Sequence, residues 1–192
     1  MAYLLDRINA QLAKTGYKAR SLQARTWLQS KIGDLRATPH KLSNTAERRT
    51  PKSVIGKLYF FYYDPKTKDS LPYYDRFPLV FPIELYPNGF LGLNLHYIHP
   101  KQRIILLDKL SELATDKRFD DRTKLKLSYQ ALASFSRLYG ASPCIKRYLG
   151  NHVQGQFVEI PASEWDIAAL LPVEQFEKAN KNKVWADSRK KQ

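Results

Sequence analysis

The sequence predicts an α+β protein built on a small antiparallel β-sheet, with a hairpin over about residues 78–98, packed by helices and carrying N-terminal amphipathic helices and basic terminal arms. Three features predict this. Residues 57–64 (KLYFFYYD) and 77–87 (FPLVFPIELYP) are rich in the aromatic and branched side chains that favour strands. Asn88-Gly89 separates the second run from FLGLNLHYI, and that dipeptide suits a type I′ turn, whose two central residues both take positive φ. Apolar residues recur at a helical period before and after these runs.

In chain order, Leu4, Leu5, Ile8 and Leu12 mark a first helix over residues 2–14, stopped by Gly16. Leu22, Leu28, Ile32 and Leu35 mark one face of a second over 18–35, with Lys18, Arg20, Arg25 and Lys31 mostly elsewhere. Stripes this narrow need a partner surface to be stable. Residues 36–56 are polar, basic and interrupted by Pro39 and Pro51, and read as a linker that is disordered in the isolated protein. The aromatic strand, a loop (DPKTKDSLP) and the hairpin follow. Pro78 and Pro82 favour an edge position or a bulge for the first hairpin strand.

His99-Pro100 opens a helix over 100–114, proline suiting the first turn, with Ile104, Ile105, Leu106, Leu107, Leu110 and Leu113 buried. Asp120 or Asp121 caps another that runs to Tyr139, with Leu125, Leu127, Leu132, Phe135 and Leu138 as its apolar side and Gly140 as its stop. Residues 143–149 read as a short helical turn, GQFVEIP as an edge strand, and ASEWDIAALLP as a helical segment capped by Ser163. A last helix begins near residue 172 and fades into a basic tail. The expected organisation is a helical, basic arm and linker over 1–56, an α+β core domain over 57–175 and a basic tail over 176–192.

The formal net charge of +14 is unevenly spread. Residues 1–57 hold 12 Lys/Arg against 3 Asp/Glu, residues 58–175 hold 14 against 13, and residues 176–192 hold 6 against 2. The ends therefore carry nearly all of the excess, and like charges at that density call for an acidic partner. Nucleic acid is the commonest, because each phosphate neutralised releases a counterion. Arg48, Arg49, Lys52, Lys57, Arg189, Lys190 and Lys191 are the candidates for phosphate or acidic-surface contacts. Leu22, Trp27, Leu28, Ile32, Tyr73, Tyr74 and Trp185 are the candidates for protein interfaces. The single cysteine, Cys144, excludes an intramolecular disulfide. No stretch approaches the roughly 20 apolar residues of a membrane span, and the N-terminus is too charged for a signal peptide, so a cytosolic protein with no membrane partner is expected.

Little in the chain suggests catalysis. The aromatics Tyr59, Phe60, Phe61, Tyr62, Tyr63, Tyr73, Tyr74, Phe77 and Phe81 could stack on unpaired bases, but alternating aromatics more simply fill both faces of a small sheet. His96 and His99 point to opposite faces of a strand and do not chelate one ion. His40 and His152 have no visible partner. A Mg²⁺-dependent nuclease would draw on Asp64, Asp69, Asp75 and Glu84, with Asp64-Pro65-Lys66 as a D-x-K element, although Asp-Pro is an ordinary turn opener. No glycine-rich phosphate loop exists, and Cys144 reads as a buried small hydrophobe. Neither a catalytic residue, a metal site nor a cofactor is expected.

The block GKLYFFYYDPKTKDSLPYYDRFPLVFPIELYPNGFLGLNLHYI, continuing into HPKQRIILLDKL, resembles small virion proteins of large contractile-tailed bacteriophages, and LPVEQFEKANKNKVWADSRKK is similar to their C-terminal end. The resemblance covers roughly residues 56–114 and 165–190. It implies a tail, baseplate, neck or DNA-end-protecting protein of the virion, assembled in the host cytoplasm, and it brings no catalytic pattern. The first functional expectation is a structural component whose arms latch onto other phage structural proteins. The alternative is a DNA-binding protein that holds or protects the packaged genome end, and the second alternative is the nuclease.

Overall fold

The computed structural model describes residues 4–44, 46–118, 130–131 and 144–190. The helix expected from 120 to 139 lies outside them except for two helical residues, as do Lys191 and the side chain of Lys190. The helices are α1 (Leu4–Ala13), α2 (Leu22–Lys31), α3 (Pro39–Ser43), α4 (Pro100–Thr115), α5 (Trp165–Leu170) and α6 (Lys181–Lys190). The strands are β1 (Arg49–Thr50), β2 (Leu58–Tyr63), β3 (Tyr74–Asp75), β4 (Leu79–Tyr86), β5 (Gly89–Asn94), β6 (Ile145–Leu149), β7 (Val153–Ile160) and β8 (Phe176–Glu177). Six of these strands form one sheet in the order β1-β7-β2-β4-β5-β6, while β3 and β8 pair separately, and all these ladders are antiparallel. The α+β class with an antiparallel sheet packed by helices is as the sequence predicts.

Strand β2 explains the aromatic block. Its residues alternate between two cores, as a strand with both faces buried requires. Leu58 and Phe60, with Tyr62 at the margin, join the main core against the helices. Tyr59, Phe61 and Tyr63 join a second core with Val80, Phe90, Tyr148 and Phe157. The ring of Phe61 lies 5.9 Å from Phe90, 5.3 Å from Tyr148 and 4.9 Å from Phe157, in edge-on arrangements favoured by aromatic quadrupoles. These partners come from β5, β6 and β7, on both sides of β2, so the sheet curls over its own second face. Irregular register between Phe60 and Tyr62 and between Pro82 and Glu84 supplies the bending. Pro82 therefore sits at a bulge inside the sheet, the second of its two expected placements.

Other elements differ from expectation for identifiable reasons. The β4–β5 hairpin forms, but its two turn residues are Pro87 and Asn88, and neither takes positive φ, so the turn is not type I′. Gly89 opens β5 at φ +147, where a Cβ would sit 1.9 Å from the Tyr148 carbonyl oxygen. Its lack of a side chain leaves room for β6 to approach. Residues 145–149 are that strand and not a helical turn, because pairing to β5 from Gly89–Leu149 to Leu93–Ile145 overrides local propensity. Strand β7 is not at the edge, since β1 pairs along its outer side. Ser163 is not a cap: α5 follows a short 3₁₀ turn and its N-cap, Glu164, makes no side-chain cap bond. The last helix starts at Lys181 because residues 176–177 pair with β3 and the Asn180 side chain accepts from the Lys183 N–H at 2.9 Å.

The terminal segments dock on the body. Leu5, Ile8, Leu28 and Leu42 are buried in the same cluster as Leu58 and Phe60, and Val184 of α6 joins it. The stripes of α1 and α2 have found the partner surface they need in the sheet's helical face. Arg25 of α2 adds ion pairs to Asp108 on α4 and to Asp166 on α5, the latter at 3.0 Å. Residues 36–56, expected as a disordered linker, contain α3, capped by Thr38, and the ladder of β1 with β7. Within α4, Leu106, Leu107 and Leu110 are buried, whereas Ile105 is 44% exposed and Arg103 takes an inward position at 0% exposure. Helical spacing aligns 103 with 106, 107 and 110 and turns 105 away.

Candidate nucleic-acid interface

The basic residues singled out from the sequence fall into separate settings. Arg48 is ion-paired with Glu164 and Asp6, so its charge helps tie α1 to the segment before α5. Arg49 donates to the Ser43 carbonyl at 3.0 and 3.2 Å. Lys57 pairs with Glu159 of β7 at 2.8 Å. Lys52 is exposed in the turn after β1. The cleft at this corner is lined by Glu47 and Glu159 as well as Arg48 and Arg49, and is electrostatically mixed. Arg189 is exposed on α6, where its charge helps to hold the His99 imidazole below its ordinary pKa, after the larger effect of burial.

The candidate interface residues also divide. Leu28 is core, and Trp27 and Ile32 pack partly buried against it. Leu22 is 78% exposed and faces away, six positions being far from a whole number of helical turns. Trp185 donates its indole N–H to the His96 carbonyl at 2.8 Å and stacks edge-on with His99 at 5.2 Å. Tyr73 and Tyr74 line a cleft that the sequence did not reveal.

That cleft, of about 370 Å³, lies between β6, β3, the loop 64–72 and the turn after β5. Its walls are aromatic: Tyr63, Tyr73, Tyr74, Tyr97 and Tyr148. Its cations are Lys66, Lys146 and Arg147. The Lys146 ammonium sits 4.3 Å from the centre of the Tyr97 ring. The Arg147 guanidinium sits 4.3 Å from that of Tyr86 and also donates to the side chain of Asn88. Burial raises the hydroxyl pKa values of Tyr97 and Tyr148, so these walls remain neutral. The loop forming one wall is pinned from outside. Lys178, at φ +67, donates to the carbonyls of Lys68, Asp69 and Leu71 at 2.7, 3.0 and 3.1 Å. His152 Nδ1 lies 2.8 Å from the Asp64 carbonyl.

A buried polar network supports the cleft floor. Asp75 is 4% exposed. One carboxylate oxygen accepts from the Phe77 and Gln175 N–H groups at 3.1 and 3.3 Å, and the other accepts from Asn94 and His96 at 3.2 and 2.7 Å. Burial alone would raise this carboxyl's pKa, but the His96 ring and the hydrogen bonds outweigh it and the net shift is downward. Beneath, Arg103 donates to the carbonyls of Ile98, Ala169 and His96 and to Glu174 at 2.7 Å.

These commitments change the nuclease reading's geometry. Asp75 has its oxygens filled by four donors, Asp64 is paired with Lys68 at 3.0 Å, and Glu84 is exposed on β4. Among the described residues no three His, Cys, Asp or Glu side chains gather as a metal-binding group. His96 and His99 do not converge: the first is held by Asp75 and the second caps α4. Cys144 is buried, and burial pushes its thiol up to about 11. No helix among the described residues is long and apolar enough to cross a membrane.

The residues that sequence reasoning missed are Lys146, Arg147 and Tyr97, and Lys66 was singled out only as part of a nuclease element. The signal available was the interleaved Lys146-Arg147-Tyr148 in a segment taken as a turn. Compared with known proteins, residues 7–189 match the model of the family described as phage T4 terminal DNA protecting protein. No curated protein and no solved structure matches.

Proposed function

The chain belongs to the phage T4 terminal DNA protecting protein family, and from that premise we propose that it binds the free ends of the phage genome and shields them from degradation without cutting DNA itself. The family match over residues 7–189 carries this reading, and it speaks for the genome-end alternative drawn from the sequence over a tail, baseplate or neck component. The net charge of +14 supports it, since an excess of cations over a DNA-sized anion gives affinity through counterion release. The aromatic, cationic cleft supports it too, because it offers faces for bases and charges for phosphates. In this reading the protein rides with the DNA in the virion, and exposed groups such as Leu22 are available to other phage structural proteins.

The test is protection. Linear duplex DNA is incubated with the protein and then with a processive exonuclease. The DNA should survive once protein saturates the ends and be lost when high salt releases it. Degradation at an unchanged rate under saturating protein overturns the proposal. Incubation with Mg²⁺ or Mn²⁺ and no added nuclease should leave plasmid intact, and cleavage there would restore the nuclease reading.

A further inference from the structure

We propose that the cleft between β6, β3 and the loop 64–72 takes the unpaired terminal nucleotide of a DNA strand, its base stacked on tyrosine and its phosphates facing Lys66, Lys146 and Arg147. The inference rests on the end-binding reading and assigns the place where an end is told from continuous duplex.

Size comes first. A cleft of about 370 Å³ is at the small end of ligand pockets, which span about 300–1,000 Å³, so it admits one nucleotide and not a stacked base pair. Chemistry comes second. Tyr73 and Tyr74 are only partly buried and Tyr97 forms the wall behind, its ring 6.0 Å from that of Tyr73. Exposed aromatic faces beside a basic rim are how single strands are held without regard to sequence. Charge comes third. Three cations line the cleft, and its carboxylate, Asp75, has both oxygens engaged from within the fold. An anionic, planar ligand is therefore complemented on both counts.

The same geometry explains why an end would be preferred. Extruding a base from continuous duplex costs a few kcal/mol of unstacking and unpairing, whereas a frayed or overhanging terminal base has already lost its pair. The cleft would therefore engage ends and leave interior base pairs alone. The β6 wall is rigid, being paired to β5 through five residues from Ile145 to Leu149. The opposite wall is held by Lys178. A site prepared in this way loses little to ordering on binding.

The test uses a duplex carrying the fluorescent base 2-aminopurine at its terminal position, with a second duplex carrying it at an interior position. On binding the full-length protein, the terminal probe should be quenched by stacking and the interior probe unchanged. Tyr74→Ala should abolish the terminal quench and weaken binding to open ends about tenfold, leaving binding to hairpin-capped duplex unchanged. Tyr74→Phe, which keeps the ring, should restore both, and unchanged thermal unfolding of the two variants excludes a folding defect. Lys66→Ala and Arg147→Ala should lower end affinity and its salt dependence. End binding with an unquenched terminal probe overturns the cleft while leaving the proposed function standing. Absence of any end preference overturns both.

Discussion

At the residue scale the most consequential side chain is Arg103, which sequence patterning placed in an apolar helix without marking it as buried. Its guanidinium is fully enclosed, burial lowers its pKa, and Glu174 partly offsets that. Removing one partner of a buried pair leaves an uncompensated charge, so Arg103→Ala should cost about 3–5 kcal/mol in urea unfolding. A cost below about 1 kcal/mol would mean the site is wetter than its burial indicates. Asp75 and Glu174 set the pH dependence. Both carboxyls titrate below their ordinary values in the folded protein, despite burial that acts the other way. Their stabilisation is therefore present above the unfolded carboxylate values near 4 and is lost as pH falls through the lower folded values. The unfolding midpoint should decline modestly between about pH 7 and 5, where His99, held below its ordinary imidazole value in the fold, protonates first in the unfolded chain, and fall steeply below about 4. Asp75→Asn should be less stable at neutral pH and show a shallower acid limb.

At the element scale, two glycines separate two costs. Gly16 ends α1 at φ +72 in open space, so Gly16→Ala should cost only the left-handed backbone penalty, about 1 kcal/mol. Gly89 has positive φ and no room beside Tyr148, so Gly89→Ala must also push β6 from β5 and should cost several-fold more by the same chemical denaturation. Equal costs would mean that β6 is not held as described. The elements legible in the sequence were those whose local and tertiary preferences agree. Aromatic β2, the β4–β5 hairpin and α4 after His99-Pro100 are examples. Strand β6 was not legible, because Pro143-Cys144 and Lys146-Arg147 carry no strand alternation and its pairing partner is some 55 residues away in β5. The cleft was missed with it: Lys146, Arg147 and Tyr148 meet Lys66 and Tyr97 only after β6 is placed.

At the scale of the whole molecule, the uneven charge is as the sequence has it, but among the described residues its bearers do not form free arms. Arg25, Arg48 and Lys57, all from the basic first part of the chain, make ion pairs that fasten the N-terminal helices and β2 to the body. Counting charge along a sequence does not reveal which cations are already paired with carboxylates, as Arg48 is with Asp6 and Glu164, nor which ones the fold brings beside aromatic rings, as it does Lys146 and Arg147. The proposed function requires recognition of DNA ends. Its most direct measurement is competition at several salt concentrations between linear and closed circular forms of one plasmid for the labelled protein–DNA complex. The linear form should displace the label at lower concentration, closing its ends with hairpins should remove the advantage, and both affinities should fall with salt. Equal competition by linear and circular DNA at every salt concentration would contradict it.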